Sequence, residues 1–360
     1  MKTRMDNRKT CWQYGACLCA VMMILAGQAF AADKKPVTMA ELALYKGADR
    51  QQILEEGAKK EGALTFYTSG ILKQAVNPIT DAFQKKYPFI KVNIWRASSM
   101  ELVSRSSEEF KAGRQLFDAM EGTQTNMLVL QEVGIVQPFL SPNLAQIEDE
   151  AKTTVPSGAV VAVAFRSSGI GFGYNTKMIT KDQAPKTYQD LLDPKWKGKL
   201  AIAGSDTGIN WMSAIYRNIG IDLLKKIANA GYPVHMVSGQ AMLDMIINGE
   251  YAGSPTIFDS HVIGSKKRGA PVAWVPLEPV RVNVGQIGLA KRAPHPCAAL
   301  LFADFELSKE SGEIHRTVGY DSFRKDVPSL EQRYKKYFGM ETMEAVKEEH
   351  DLFNTLFIKK

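Results

Sequence analysis

Ala63-Leu64-Thr65-Phe66-Tyr67 is β-branched and aromatic, the pattern of a short buried strand, and Thr68-Ser69-Gly70 breaks it. Ile71, Leu72, Ala75, Val76, Ile79 and Phe83 then recur at helical spacing, so a helix is predicted to start near Ser69. Upstream, Met39–Lys60 reads as one helix closed by Gly62. Ile90–Trp95 alternates as a second strand, ends in Arg96-Ala97-Ser98-Ser99, and precedes a helix over Met100–Gly113. Phe117–Met120 predicts a third strand, Glu121–Asn126 a polar loop, and Met127–Val133 a third helix. The order β-α-β-α-β-α implies a parallel sheet with helices on its faces. In such sheets ligands sit beyond the carboxyl ends of the strands. Thr68-Ser69-Gly70, Ser98-Ser99 and Thr123-Gln124-Thr125 lie at three such ends. Helix starts there add free N–H groups and a partial positive charge. Ser69 on its own reads as a helix cap; the recurrence of polar strand ends makes it a candidate ligand donor.

The second half repeats the α/β character. Ala159–Phe165 and Ile170–Tyr174 read as two strands separated by Arg166-Ser167-Ser168-Gly169. Gly169, Gly171 and Gly173 continue as strand and open no helix, which excludes a dinucleotide fingerprint. Gly204–Asn210, which includes Asp206 and Thr207, is a fourth polar loop, before a helix through Ile219. Gln240–Asn248 reads as a helix, and Gly253–Ile257 as a strand leading to Phe258-Asp259-Ser260-His261. Val272–Pro276 and Val284–Ala290 are strand-like, His295–Ser308 is helical, and the tail from Pro328 is helical with a burying face.

The length of 360 residues allows two domains with real cores, and 45% hydrophobic with 23% charged residues is a globular composition. Lys2, Arg4, Arg8 and Lys9, the apolar run Ala16–Gly27, and Ala29-Phe30-Ala31 form an export leader, with cleavage expected after Ala31. Cys11, Cys17 and Cys19 leave with it. Cys297 then stays as a single thiol, too few for a disulfide or a cysteine metal cluster. Loss of the leader lowers the formal charge from +7 to about +4, and no dense Lys/Arg run exists. A nucleic-acid stripe is excluded on that ground.

The run Tyr174-Asn175-Thr176-Lys177, then Ala184–Leu200 (APKTYQDLLDPKWKGKL), resembles bacterial extracellular solute-binding proteins of ABC importers, in the branch of the ferric-iron-binding proteins. Leu64–Gly70, Tyr87-Pro88-Phe89-Ile90, Gly249-Glu250, Gly269-Ala270-Pro271-Val272 and Pro294-His295-Pro296-Cys297 extend the resemblance over most of the chain. The resemblance implies a type II periplasmic-binding-protein fold: two α/β lobes with parallel-rich sheets, helices on both faces, and a ligand cleft between the lobes. Lobe 1 is expected at residues 32–145 plus 281–322, and lobe 2 at 146–280 plus 323–360. It also implies a periplasmic monomer that closes on a small-molecule solute and docks on an inner-membrane permease. The adjacent tyrosine pair of iron-binding members falls by spacing on Asp259 and Ser260, and their early His and Glu ligands near Ile71 and Thr123. Iron in that manner is not expected.

Two ligand chemistries follow. A small polar or anionic solute suits a cleft rich in hydroxyls and helix starts, with Thr68, Ser69, Gly70, Ser98, Ser99, Glu121, Thr123, Arg166, Ser167, Ser168, Asp206, Thr207, Phe258, Asp259 and His261 as candidate lining residues. Within that set, Ser69 and Ser168 are the expected donors, Arg166 a bidentate clamp, and Phe258, like nearby Trp211, a stacking surface. The alternative is a metal held by Glu121, Asp259 and His261. No cofactor is expected. The five histidines show no zinc spacing, and no nucleophile elbow or phosphate-binding loop occurs, so catalysis is not the expected function.

Overall fold

Strand β1 (Ala63–Thr68) stands at the centre of the N-terminal part, paired in parallel with β2 (Lys91–Arg96) and β3 (Ala119–Thr123). The computed structural model describes residues 36, 38–330, 334–339 and 342–358. The expected leader and its three cysteines lie outside them. Met39–Lys60 is two helices, α1 (Met39–Ala43) and α2 (Arg50–Glu61), because the intervening Lys46-Gly47-Ala48 interrupts the pattern. The helix after β1 starts later than expected. A π-turn over Leu72–Val76 runs into α3 (Asn77–Lys86), and Ile71, not Ser69, stands at its cap position with no side-chain cap bond.

Capping sets the next two helix starts. Ser98 and Glu101 close a reciprocal capping box at α4 (Ser99–Lys111), and Thr123 with Asn126 does the same at α5 (Gln124–Glu132). The expected loop Glu121–Asn126 is therefore the end of β3 joined directly to α5.

The principal sheet runs in the order β10-β6-β11-β3-β1-β2, where β6 is Val160–Asn175, β10 is Val272–Val275 and β11 is Val280–Ala290. β6 is one uninterrupted strand where the sequence suggests two. Its middle residues Arg166, Ser167 and Ser168 pair with β11 and are buried. The sheet is mixed: parallel where β-α-β units build it, antiparallel along β6 and β11.

These two long strands pass between two sets of apolar clusters. Val160, Val163 and Phe165 of β6 pack with Phe66, Phe83 and Phe302, whose rings meet at 4.7 and 5.1 Å centroid separation. Ile170, Phe172 and Tyr174 pack instead with Trp196, Trp211 and Phe353. β11 changes sides likewise: Val280 joins Ile257 and Trp274, whereas Val282, Val284 and Ile287 join the first set. Each large apolar side chain so buried contributes roughly 1.5–3 kcal/mol.

The second set is covered by α6 (Asp206–Asn218), α7 (Ile221–Asn229), α8 (Gly239–Ile247) and α9 (Asp259–Lys267), the last two around β9 (Gly253–Phe258). A small parallel pair, β7 (Ile202–Ala203) with β8 (Val234–His235), leads into α6. Helices α10 (Pro296–Glu306) and α11 (Lys309–Thr317) belong to the first set's side, and α10 is buried all round. Cys297 lies buried there. In the tail, a short strand at Lys336–Tyr337 pairs with β11 and helix α12 (Met343–Phe353) packs on α6.

Gly208 shows how tightly α6 seats. A Cβ there would stand 2.1 Å from the Ala203 carbonyl oxygen, a backbone atom that cannot turn aside. Gly208→Ala gains at most about 1 kcal/mol of helix propensity and forces overpacking of about 1–3 kcal/mol. A lower urea midpoint is the expected result; an unchanged or higher one would show that α6 moves freely.

Candidate functional site

Polar side chains converge from the ends of β1 and β3 and from the middle of β6, across the intervening β11. The Glu121 carboxylate accepts the Thr68 hydroxyl, the Gly70 N–H at 3.1 Å and a guanidinium N–H of Arg166. Thr68 in turn accepts the Gly70 N–H at 2.9 Å, which fixes the turn that leaves β1. All four residues are buried. The Arg166 guanidinium also lies 4.7 Å from the ring centre of Tyr320. Burial opposes its charge, but the Glu121 carboxylate beside it prevails and raises its pKa. Arg166 is thus committed to Glu121 rather than open as an anion clamp.

A second network forms two residues further along β6, at Ser168. The Ser168 hydroxyl donates to Asp259 Oδ1 at 2.5 Å and lies 2.7 Å from Ser260 Oγ. Asp259 opens helix α9, so its Oδ1 also collects the N–H groups of Ser260 (2.6 Å) and Gly169 (3.1 Å). The Tyr334 hydroxyl donates to Oδ2 at 3.1 Å. Complete burial still outweighs these bonds and pushes the Asp259 pKa up to about 6. His261 lies against the Phe258 ring at 5.0 Å, and burial pulls its pKa down to about 4. Ser168 is therefore spent on Asp259 and is not a free donor. Among the described residues no three His, Cys, Asp or Glu side chains come together to hold a metal ion. The set Glu121, Asp259 and His261 is not assembled, because Glu121 is held by Arg166.

The two larger cavities share no lining residue with these networks. A cavity of about 310 Å³ is bounded by α4 and α5 on one side, α6 on the other, and α12. Thr123, Thr125 and Asn126 face Asp206 and Asn210 across it, and Ser104 of α4, Arg281 of β11, and Glu349 and His350 of α12 complete its polar wall. Arg281 donates through Nε (3.3 Å) and Nη2 (3.2 Å) to the Asn210 side-chain oxygen. A smaller cavity of about 170 Å³ shares Thr125, Arg281 and Val346 with the first.

Of the predicted lining residues, Thr123 and Asp206 stand on the cavity wall. Thr68, Gly70, Glu121 and Arg166 form the first network; Ser168 and Asp259 belong to the second. Ser69 is half-buried, with its N–H on the Glu121 carbonyl at 3.3 Å. Ser98 is an exposed helix cap, and α4 begins at Ser99. Ser167 is buried on the strand and pairs with Asp321. Thr207 lies buried in the first turn of α6. Phe258 and Trp211 are core residues, not stacking platforms, since apolar neighbours enclose both. Sequence reasoning missed Arg281, Asn210, Tyr320 and Tyr334. Only Arg281 carries a local signal: a lone guanidinium inside the apolar run Val280-Arg281-Val282.

The family model of bacterial extracellular solute-binding proteins matches residues 79–342, well over half of the chain. The chain belongs to the bacterial extracellular solute-binding proteins. This solute-binding protein is 25% identical over 270 residues to an uncharacterised protein of Haemophilus influenzae, covering 71% of this chain and 76% of that one. Its fold is similar to iron-bound HitA from Pseudomonas aeruginosa (TM-score 0.68, 20% identity, 81% of this chain and 99% of that one). It is also similar to AfuA from Actinobacillus pleuropneumoniae with fructose-6-phosphate bound (TM-score 0.68, 21% identity, 83% and 99%). At these identities the likeness establishes the two-lobed periplasmic-binding-protein fold. The family makes this a solute-binding protein of the ABC-importer type, with a small-molecule solute and a permease as partner. No helix among the described residues is long and apolar enough to cross a membrane.

Proposed function

We propose that this protein captures a small polar or anionic solute in the periplasm, by closure of its two lobes, and delivers it to an inner-membrane ABC permease. The observation that carries this reading is the 310 Å³ cavity, whose walls come from α4 and α5 on one side of the crossing strands and α6 on the other. A solute there touches both sides only when they are closed, and so shifts the population toward the closed form. We place the lobe crossings where β6 and β11 change clusters, at residues 166–169 and 281, inward of the first boundary expected from the sequence.

A second reading is ferric binding, favoured by one observation. Tyr334 donates to Asp259, so a tyrosine hydroxyl approaches one of the positions where the family's tyrosine pair falls. Thermal shift separates the readings. At about a hundred times its dissociation constant a solute should add roughly 2.7 kcal/mol to the stability of protein stripped by unfolding and refolding. The panel holds ferric citrate, phosphate, sugar phosphates, phosphonates and small carboxylates. A rise with an organic anion in the absence of iron supports the first reading. A rise with ferric salt alone, with a visible absorption band, replaces it by the second.

A further inference from the structure

The structure assigns Arg281 as the anion-recognition residue of the cleft, and we infer that the solute is a small organic anion whose carboxylate or phosphate meets Arg281 while hydrogen-bond donors on the rest of the molecule face Asp206 and Glu349. This inference deepens the proposed function and rests on it.

Burial and partnering set Arg281 apart. A guanidinium withdrawn from water needs an opposite charge and a full set of acceptors. The other buried arginines have them: Arg166 is paired with Glu121, and Arg324 with Asp326 at 2.8 and 2.9 Å. Arg281 is as buried, yet its side-chain hydrogen-bond partner is the neutral oxygen of Asn210, and its Nη1 has no partner. Glu349 is on the same cavity wall, but its carboxylate is bonded to Arg217 Nε at 3.0 Å. Among the described residues no carboxylate forms an ion pair with Arg281. Burial accordingly pulls its pKa below the ordinary arginine value. The Tyr337 ring lies 5.5 Å from the guanidinium and holds it in place.

The distribution of charge around the two cavities gives the solute a direction. Arg281 stands on the wall they share. The smaller chamber adds neutral amides and a hydroxyl, from Gln124, Gln131, Gln286 and Thr153, and no other charge. An anionic group fits on that side, against a planar fork built for carboxylate or phosphate. The larger chamber carries the carboxylate of Asp206 and that of Glu349, whose Oε1 is taken by Arg217, together with Ser104 and His350; its carboxylate oxygens accept from hydroxyl or ammonium groups. A bare inorganic anion leaves that chamber without partners.

The test uses the full chain, stripped of solute. Fructose 6-phosphate and malate are the organic-anion probes, fructose the neutral control and inorganic phosphate the bare anion. The expected result is a raised Tm with an organic anion, little change with fructose or phosphate, and at least hundredfold weaker anion binding in both Arg281→Met and Arg281→Lys. Arg281→Met should in addition raise the Tm of the ligand-free protein, since it removes a buried charge without a partner. This second readout needs no ligand. A lowered ligand-free Tm with anion affinity kept within threefold makes Arg281 a structural residue and overturns the assignment. A rise with fructose alone overturns the anionic class and leaves the proposed function standing. No rise with either organic anion, together with a rise in ferric salt, overturns both.

Discussion

Glu121→Gln is expected to cost the folded protein about 3–5 kcal/mol, the magnitude for removing one partner of a buried ion pair. The reason is the charge left behind. Arg166 is 7% exposed and sits in the middle of β6, with β11 and β12 (Asp321–Ser322) on either side. Water cannot reach it to replace the carboxylate. A neutral amide keeps one acceptor for Thr68 and Gly70 but leaves the guanidinium without a counter-charge. The pair itself contributes little relative to apolar packing. Adding Arg166→Met to Glu121→Gln should therefore recover most of the loss. Urea unfolding at pH 7 of the wild type, both single variants and the double variant measures this. A cost below about 1 kcal/mol for Glu121→Gln, or no recovery in the double variant, would mean that the ion pair is not buried in solution.

The second large effect is a pH dependence at Asp259. Its folded pKa is about 6, above the ordinary value of 3.8. Between those values the native state holds a proton that the unfolded chain has released. Stability from this group therefore falls as pH rises from about 4 to 6. Above that window the penalty is constant, about 3 kcal/mol for a two-unit shift in a completely buried group. His261 works in the opposite sense. Its pKa is lowered from 6.5 to about 4, so it costs stability as pH falls through that range. The two trends oppose each other in the wild type. The difference between Asp259→Asn and wild type isolates the aspartate. That difference should move in favour of Asp259→Asn by up to about 3 kcal/mol as pH rises from 4 to 6.5. Chemical denaturation across that range tests it, and a flat difference curve would remove the burial of Asp259 from the account.

Local pattern made much of the N-terminal part readable. β1, β2, α4 and their order follow from period-2 and period-3.6 spacing within about ten residues, because such spacing is a local property of the chain. The family resemblance followed from motifs that survive as short runs, such as Tyr174–Lys177 and Ala184–Leu200. The failures share one cause. Arg166-Ser167-Ser168-Gly169 reads as a loop because its residues are polar, and the structure makes it the centre of a 16-residue strand. Polar residues become strand interior only when distant partners satisfy them. Here those partners are Glu121, 45 positions earlier, and Asp259, 91 positions later. Ser69, Ser168 and Arg166 were singled out for their chemistry, yet whether a hydroxyl or guanidinium is free depends on which groups the fold brings to it.

The sequence by itself determined the α/β class, the succession of the early elements, and membership of a solute-binding family, since these rest on local periodicity and contiguous motifs. Tertiary structure alone decided which polar groups bind one another and which line open space. Arg166 and Arg281 are both single arginines in strand-forming runs. The first meets a carboxylate because β11 alone separates β6 from β3, and the second meets only a neutral amide because α6 presents Asn210 at that place. That difference is a matter of burial and distance in three dimensions, and no spacing along the chain encodes it.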